Sequence, residues 1–348
     1  MEYGLFLEFP RPIDGDHHDA FTQSFRLVQE AEDLGVASCW LAEYHFNMER
    51  VLASPVMIAT AIAAKTHTMR VGTAVYCLPL GHPVRVAEEM ATLDHISDGR
   101  VELGVGRGTF PNVHEGFNVT FEESRSRFDE FLEIVKTAWT EESFSFHGEH
   151  YSCDDLTVTP RPYQQPHPPI TVGVTSAESF PIIGAMGYPL IVNPSRVFTL
   201  DQLKGPMSEY RKAWKAAGHP GEGKVGLRVP IYVNEDAEAA YRNPMDSAMN
   251  SITRLGERVG SYAGRAGTTG DWGEQSRIIL GMDYDDWLRD KVVYGTPDAV
   301  TERLTELEEN LGLDQLIYEI NYGNLMSDEM QTASLRLFNK KVLPRLTA

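Results

Sequence analysis

The chain has 348 residues, 42% of them hydrophobic, enough for one large core and within the size range of a single α/β barrel carrying insertions. Lys and Arg number 31 against 50 Asp and Glu, a formal charge of -19, which argues against nucleic acid or an anionic membrane as a partner because approach to either begins with repulsion. Cys39, Cys77 and Cys153 are odd in number and far apart, there is no leader-like start, and no apolar run approaches the roughly 18 residues that span a bilayer, so the sequence reads as cytoplasmic.

Short apolar runs alternate with amphipathic helical stretches almost from end to end, the pattern of a parallel sheet flanked by helices. Residues 4–9 are the first expected strand, and Phe21, Phe25, Val28 and Leu34 then keep near-helical spacing. Strands are expected next at 38–42, 70–75 and 101–105, followed by a helix carrying Phe128, Phe131, Leu132, Val135 and Trp139. Residues 140–169 break the rhythm. They are rich in Pro, His and aromatics, with a hairpin expected around 146–151, and read as an insertion over one barrel end. Strands follow at 170–174, 190–192 and 225–233. The stretch 260–290 combines Gly260, Gly264, Gly267, Gly270 and Gly273 with apolar Ile278, Leu280 and Trp287. Flexible backbone with covering side chains is expected to form a mobile lid over the site. Thr296 and Pro297 open a helix that Gly312 ends, and 315–320 is the last strand. Eight such strands predict a closed (β/α)8 TIM barrel in one domain over 1–348, with insertions at 140–169 and 260–290.

Catalytic groups of such barrels sit just after the strands, at their C-terminal ends. Glu43, Tyr44 and His45 follow the second strand and offer an acid/base or hydrogen-bonding cluster; alternatively, Glu43 and His45 only satisfy each other and nearby backbone. Small residues after the third strand would let a flat ring approach the main chain. Gly104-Val105-Gly106-Arg107-Gly108 after the fourth lacks the full dinucleotide fingerprint and lies mid-chain. Arg107 there is a fixed cation beside backbone N–H groups, which suits a phosphate, or else is an ordinary solvated charge. Thr175, Ser176 and Ser179 stand where the fifth strand leads into a helix, either a second phosphate cradle or a plain helix cap. Two such loops on one rim point to a phosphorylated cofactor. The histidines are scattered, without H-E-x-x-H or a matching cysteine set, so no metal is expected, and no G-x-S-x-G elbow supports a serine hydrolase.

Ala42-Glu43-Tyr44-His45-Phe46, Val71-Gly72-Thr73-Ala74, Leu78-Pro79, His82-Pro83-Val84-Arg85, Asp98-Gly99-Arg100, Gly106-Arg107-Gly108 and Gly295-Thr296-Pro297 resemble, in order and spacing, the bacterial luciferase-like flavin monooxygenases. The similarity is nearest to the catalytic α subunit of luciferase, which also carries a long glycine-containing loop. The resemblance implies a barrel that binds reduced FMN (FMNH2) from a separate NAD(P)H:flavin reductase, reacts it with O2 through a flavin C4a-peroxide, and oxidises a hydrophobic small organic molecule. It also implies a homodimer or a dimer with a paralogue. By position, Arg107, Arg125, Thr175, Ser176 and Ser179 would hold the phosphate, and Ala74-Val75 would match a non-proline cis peptide beneath the flavin ring. An important luciferase histidine corresponds to Tyr44, and a reactive cysteine to Gly106. A tyrosine is a poor general base at neutral pH, so light emission is not expected, and Gly106 is expected to open room for a bulkier substrate. A lid would keep water from the reacting flavin. Two other readings stand beside this one: an F420-dependent oxidoreductase of the same fold, and a non-catalytic flavin-binding or partner subunit.

Overall fold

Each of the eight expected runs forms a strand in the computed structural model, which describes residues 1–194, 198–265 and 271–347. The strands are Glu2–Leu7, Ser38–Leu41, Arg70–Thr73, Val101–Gly106, Ile170–Val174, Leu190–Val192, Val225–Val233 and Gln315–Glu319. All are parallel and each pairs with the next. The eighth pairs with the first, Gly4 opposite Ile317, which closes the barrel. The first strand lies two residues earlier than expected because Phe9 turns to a φ of 53° and Pro10 follows. The third stops at Thr73, and the Ala74-Val75 peptide after it is cis.

Helices cover the outside, and their ends follow local chemistry. Asp16 caps His17–Asp33 through a reciprocal bond with Asp19. Thr296 accepts the N–H of Ala299 to open Pro297–Leu311, and Gly312 closes that helix at a φ of 62°. The hairpin in the first insertion pairs Phe144–His147 with Ser152–Leu156. A further strand, Val293–Gly295, lies beside the end of the seventh barrel strand; three residues are too short to show a periodicity.

Inside the barrel, Trp40 is fully buried, and its indole Nε1 donates to Ser38 Oγ at 3.0 Å. A Cβ at Gly72 would lie 2.5 Å from the indole Cε3, so the third strand must be bare there for the ring to fit. With Phe6, Ala42, Ile191 and Ile317, this ring plugs the barrel interior and leaves the space above it for a site.

The second insertion, expected as a mobile lid, contains helices. Met245–Ser261, Trp272–Gly281 and Tyr284–Asp290 are helices packed around their own small core of Tyr262, Trp272, Tyr284 and Trp287. Gly260 lies within the first of these helices, where a Cβ would meet Ser276 Oγ at 2.7 Å. Ser276 Oγ in turn donates to the Gly256 carbonyl at 2.7 Å. Gly256 and Gly260 therefore permit two helices to cross closely rather than loosening the chain. Gly267 and Gly270 lie outside the described residues.

Candidate active site

The C-terminal ends of the strands surround a cavity of about 860 Å³, within the range that holds a cofactor and a small ligand. All eleven residues singled out in the sequence line it: Glu43, Tyr44 and His45; Ala74, Val75 and Gly106; and Arg107, Arg125, Thr175, Ser176 and Ser179.

At one end, Arg107 leaves the fourth strand with its guanidinium Cζ 5.2 Å from the centre of the Phe121 ring. Among the described residues no carboxylate pairs with it. Burial, and then the like charge of Arg125, hold its pKa below the usual arginine value. Arg125, in the first turn of Ser124–Thr140, pairs among the described residues with Asp129, at 3.6 Å. On the same cavity Ser176 Oγ and Ser179 Oγ lie 3.0 Å apart, at the start of the helix Ser179–Met186. Buried His114 fixes the arginine's loop, its ring nitrogens meeting the carbonyls of Arg107 at 2.9 Å and Phe110 at 3.1 Å. Two crowded cations, of which Arg107 has no carboxylate partner among the described residues, lie on the same cavity as hydroxyls and a helix N-terminus, a donor set that a phosphate would complete.

The floor is the cis Ala74-Val75 unit. Val75 sits between two glycines: a Cβ at Gly106 would lie 2.4 Å from its Cγ2, and one at Gly173 would lie 2.4 Å from its Cγ1. This corrects one sequence expectation. The room left by Gly106 is filled by Val75 and is not open to a bulkier substrate.

At the other end, Glu43 Oε1 pairs with His45 Nε2 at 2.7 Å, and Oε2 accepts the Cys77 N–H at 2.9 Å. These bonds are the mutual and backbone satisfaction posed above as the alternative for Glu43 and His45. Tyr44 donates its hydroxyl to Glu8 Oε1. Burial, reinforced by Glu8, pushes the phenol pKa up, so Tyr44 keeps its proton at neutral pH.

A buried charged cluster joins Tyr44 here and was missed in the sequence. Glu8 Oε2 lies 2.6 Å from Arg50 Nε, and Glu8 Oε1 lies 3.4 Å from Arg228 Nη2, which also binds Glu319. Glu8, Arg228 and Glu319 are all buried. Burial raises the pKa of Glu319 against the opposing pull of Arg228. The available signal was parity. Alternate strand residues share a face, so Glu8 follows Phe6, and Glu319 follows Ile317, on the barrel's inner side.

Comparisons with known proteins agree with this architecture. The alkanal monooxygenase alpha chain of the Kryptophanaron alfredi symbiont is 28% identical over 63% of this chain and 61% of its own. The oxygenase component of the flavin-dependent trigonelline monooxygenase of Acinetobacter baylyi is 25% identical over 99% and 95%. Among solved structures, monooxygenase RslO1 from Streptomyces bottropensis superposes with a TM-score of 0.82 at 26% identity, covering 99% of both chains. The chain belongs to the luciferase-like monooxygenase family, whose sequence model matches residues 1–315, and is an oxidoreductase of the flavin-dependent monooxygenase class. No helix among the described residues is long and apolar enough to cross a membrane.

Proposed function

We propose that this protein is the oxygenase component of a two-component system, taking FMNH2 from a separate flavin reductase in the cytoplasm and using O2 to oxidise a small organic molecule. The observation that carries this reading is the pair of crowded cations, Arg107 and Arg125, lining one cavity with the Ser176 and Ser179 hydroxyls. Arg107, Arg125, Thr175, Ser176 and Ser179 hold the flavin phosphate. Ala74 and Val75, backed by Gly106, support the ring from beneath. Reduced flavin, when bound, supplies the electrons that activate O2.

The chain's own residues orient and exclude. Glu43 and His45 brace the loop after the second strand, and Tyr44 presents a protonated hydroxyl fixed by Glu8. The helices Met245–Ser261 and Trp272–Gly281 close one side of the cavity with Leu255 and Trp272 and serve as the lid that limits water. The protein works as a dimer, with itself or with a paralogue.

Anaerobic titration with FMNH2, with F420 as the competing cofactor, tests the assignment. Saturable FMNH2 binding that FMN phosphate-site variants weaken, followed by O2-dependent reoxidation slower than that of free FMNH2, is the expected result. Preferential binding of F420, or reoxidation indistinguishable from free flavin, overturns it.

A further inference from the structure

Six arginines line the cavity against four glutamates, a formal excess of two positive charges inside a chain whose net charge is -19. Four of the six have carboxylate partners: Arg50 with Glu8, Arg228 with Glu8 and Glu319, Arg254 with Glu49, and Arg125 with Asp129. Among the described residues, Arg107 and Arg258 have none. The flavin phosphate accounts for Arg107. Arg258 is a separate feature: the positive charge acting on it is Arg50, whereas Arg125 acts on Arg107.

The position of Arg258 follows from helix geometry. Ser251, Arg254, Leu255 and Arg258 in Met245–Ser261 are spaced i, i+3, i+4 and i+7, so they share one face, and all four line the cavity. Gly256 and Gly260, on another face, let the neighbouring helix Trp272–Gly281 lock this orientation through close contact. The Arg258 guanidinium Cζ stands 4.0 Å from the centre of the Phe110 ring. Phe110 is in edge contact with Trp272, centroids 6.2 Å apart, and both rings line the same cavity. A desolvated cation without a counter-charge is costly. One held over an aromatic wall and aimed into a cavity is matched to an anionic ligand with an apolar body.

We propose that Arg258 is a specificity-determining residue and that the substrate is an organic carboxylate, its carboxylate on the Arg258 guanidinium and its apolar or aromatic body against Phe110 and Trp272. The proposal rests on the flavin reading, which assigns Arg107 and Arg125 to the phosphate. It narrows the substrate from any hydrophobic molecule to a small apolar acid.

The test uses the FMN-saturated protein and two matched probe pairs, benzoate with benzamide and 2-naphthoate with 2-naphthamide, read by calorimetry and by perturbation of the flavin spectrum. Each acid is expected to bind roughly tenfold or more tightly than its amide. Arg258→Gln removes that preference and leaves FMN affinity unchanged, while Arg258→Lys restores part of it. Equal binding of acid and amide, or a preference that survives Arg258→Gln in a variant whose circular dichroism matches the parent, overturns the proposal. If FMN fails to bind, the flavin reading falls by itself. The same probes are then titrated into the unliganded protein, where loss of the acid preference in Arg258→Gln but not in Arg107→Ala supports the carboxylate site and the reverse result removes it.

Discussion

Arg107→Ala separates a phosphate site from an ordinary charge because the two meanings predict opposite effects on the unliganded protein. Arg107 has no carboxylate partner among the described residues, and burial together with Arg125 disfavours its charged form. Removing it therefore relieves desolvation and like-charge repulsion, and the melting temperature of the unliganded protein is expected to stay level or rise. Binding should suffer instead. Hydrogen bonds to a charged partner contribute about 1.5–3 kcal/mol, so the loss corresponds to roughly 10- to 150-fold in Kd. Riboflavin has the same ring without the phosphate and provides the control. The assay is parallel fluorescence titration of FMN and riboflavin into parent and variant, with differential scanning calorimetry of both unliganded proteins. FMN affinity should fall within that range while riboflavin affinity stays put. An equal loss for the two ligands, or a lowered melting temperature with FMN affinity intact, refutes the phosphate assignment.

Other parts of the structure give independent checks. Gly106→Ala sets a Cβ 2.4 Å from Val75 Cγ2; overpacking of this kind costs about 1–3 kcal/mol, and Val75→Ala in the same chain should recover much of it, a non-additivity visible in denaturant midpoints. Trp40→Ala empties the barrel interior and should lower unfolding free energy by about 3–5 kcal/mol, measured by urea titration; a loss well under 1 kcal/mol would contradict its place as the plug. Glu32 accepts the backbone N–H groups of His67 at 2.8 Å, Thr68 at 2.9 Å and Met69 at 3.3 Å. Burial raises its pKa, but these hydrogen bonds outweigh burial and hold it below the ordinary 4.5. The stabilisation is therefore present above pH 4.5 and lost as pH falls through the lowered value. Glu32→Gln should cost about 1–2 kcal/mol near neutrality, with the gap to the parent closing in acid; a constant gap across a pH series of melting curves would refute it.

The barrel was legible because each strand is an apolar run bounded by polar or turn-forming residues, and eight such runs admit one closed arrangement. Leu190–Val192 and Val225–Val233 end where the sequence alone placed them. The insertion at 260–290 reads in the sequence as a lid, and its helical build is hidden there for a physical reason. Glycine signals conformational freedom only when nothing else explains the missing side chain, and at Gly256 and Gly260 a neighbouring helix does. In a single sequence, i and i+4 glycines that admit a partner look the same as glycines that loosen a loop.

The candidate site divides along similar lines. Arg107, Ser176 and Ser179 were visible because their chemistry is local: Arg107 and Ser176 come just after strands, and Ser179 opens the helix that follows. Glu8, Arg228 and Glu319 meet because the first, seventh and eighth strands adjoin when the barrel closes, and Arg50 joins them from the loop after the second strand, so no spacing along the chain announces the cluster. Their parity was readable, however. A carboxylate two residues past an inward Phe6, and another two past an inward Ile317, must face the interior, and two buried carboxylates require cations. Arg228, inside an otherwise apolar strand, is the cation that argument would have selected. Arg258 was hidden differently, since a helical face carrying Arg254 and Arg258 in sequence is that of any solvated helix. Only the cavity on that face, with Glu49 taken by Arg254 and no carboxylate on Arg258 among the described residues, turns a routine surface charge into a determinant of what the enzyme accepts.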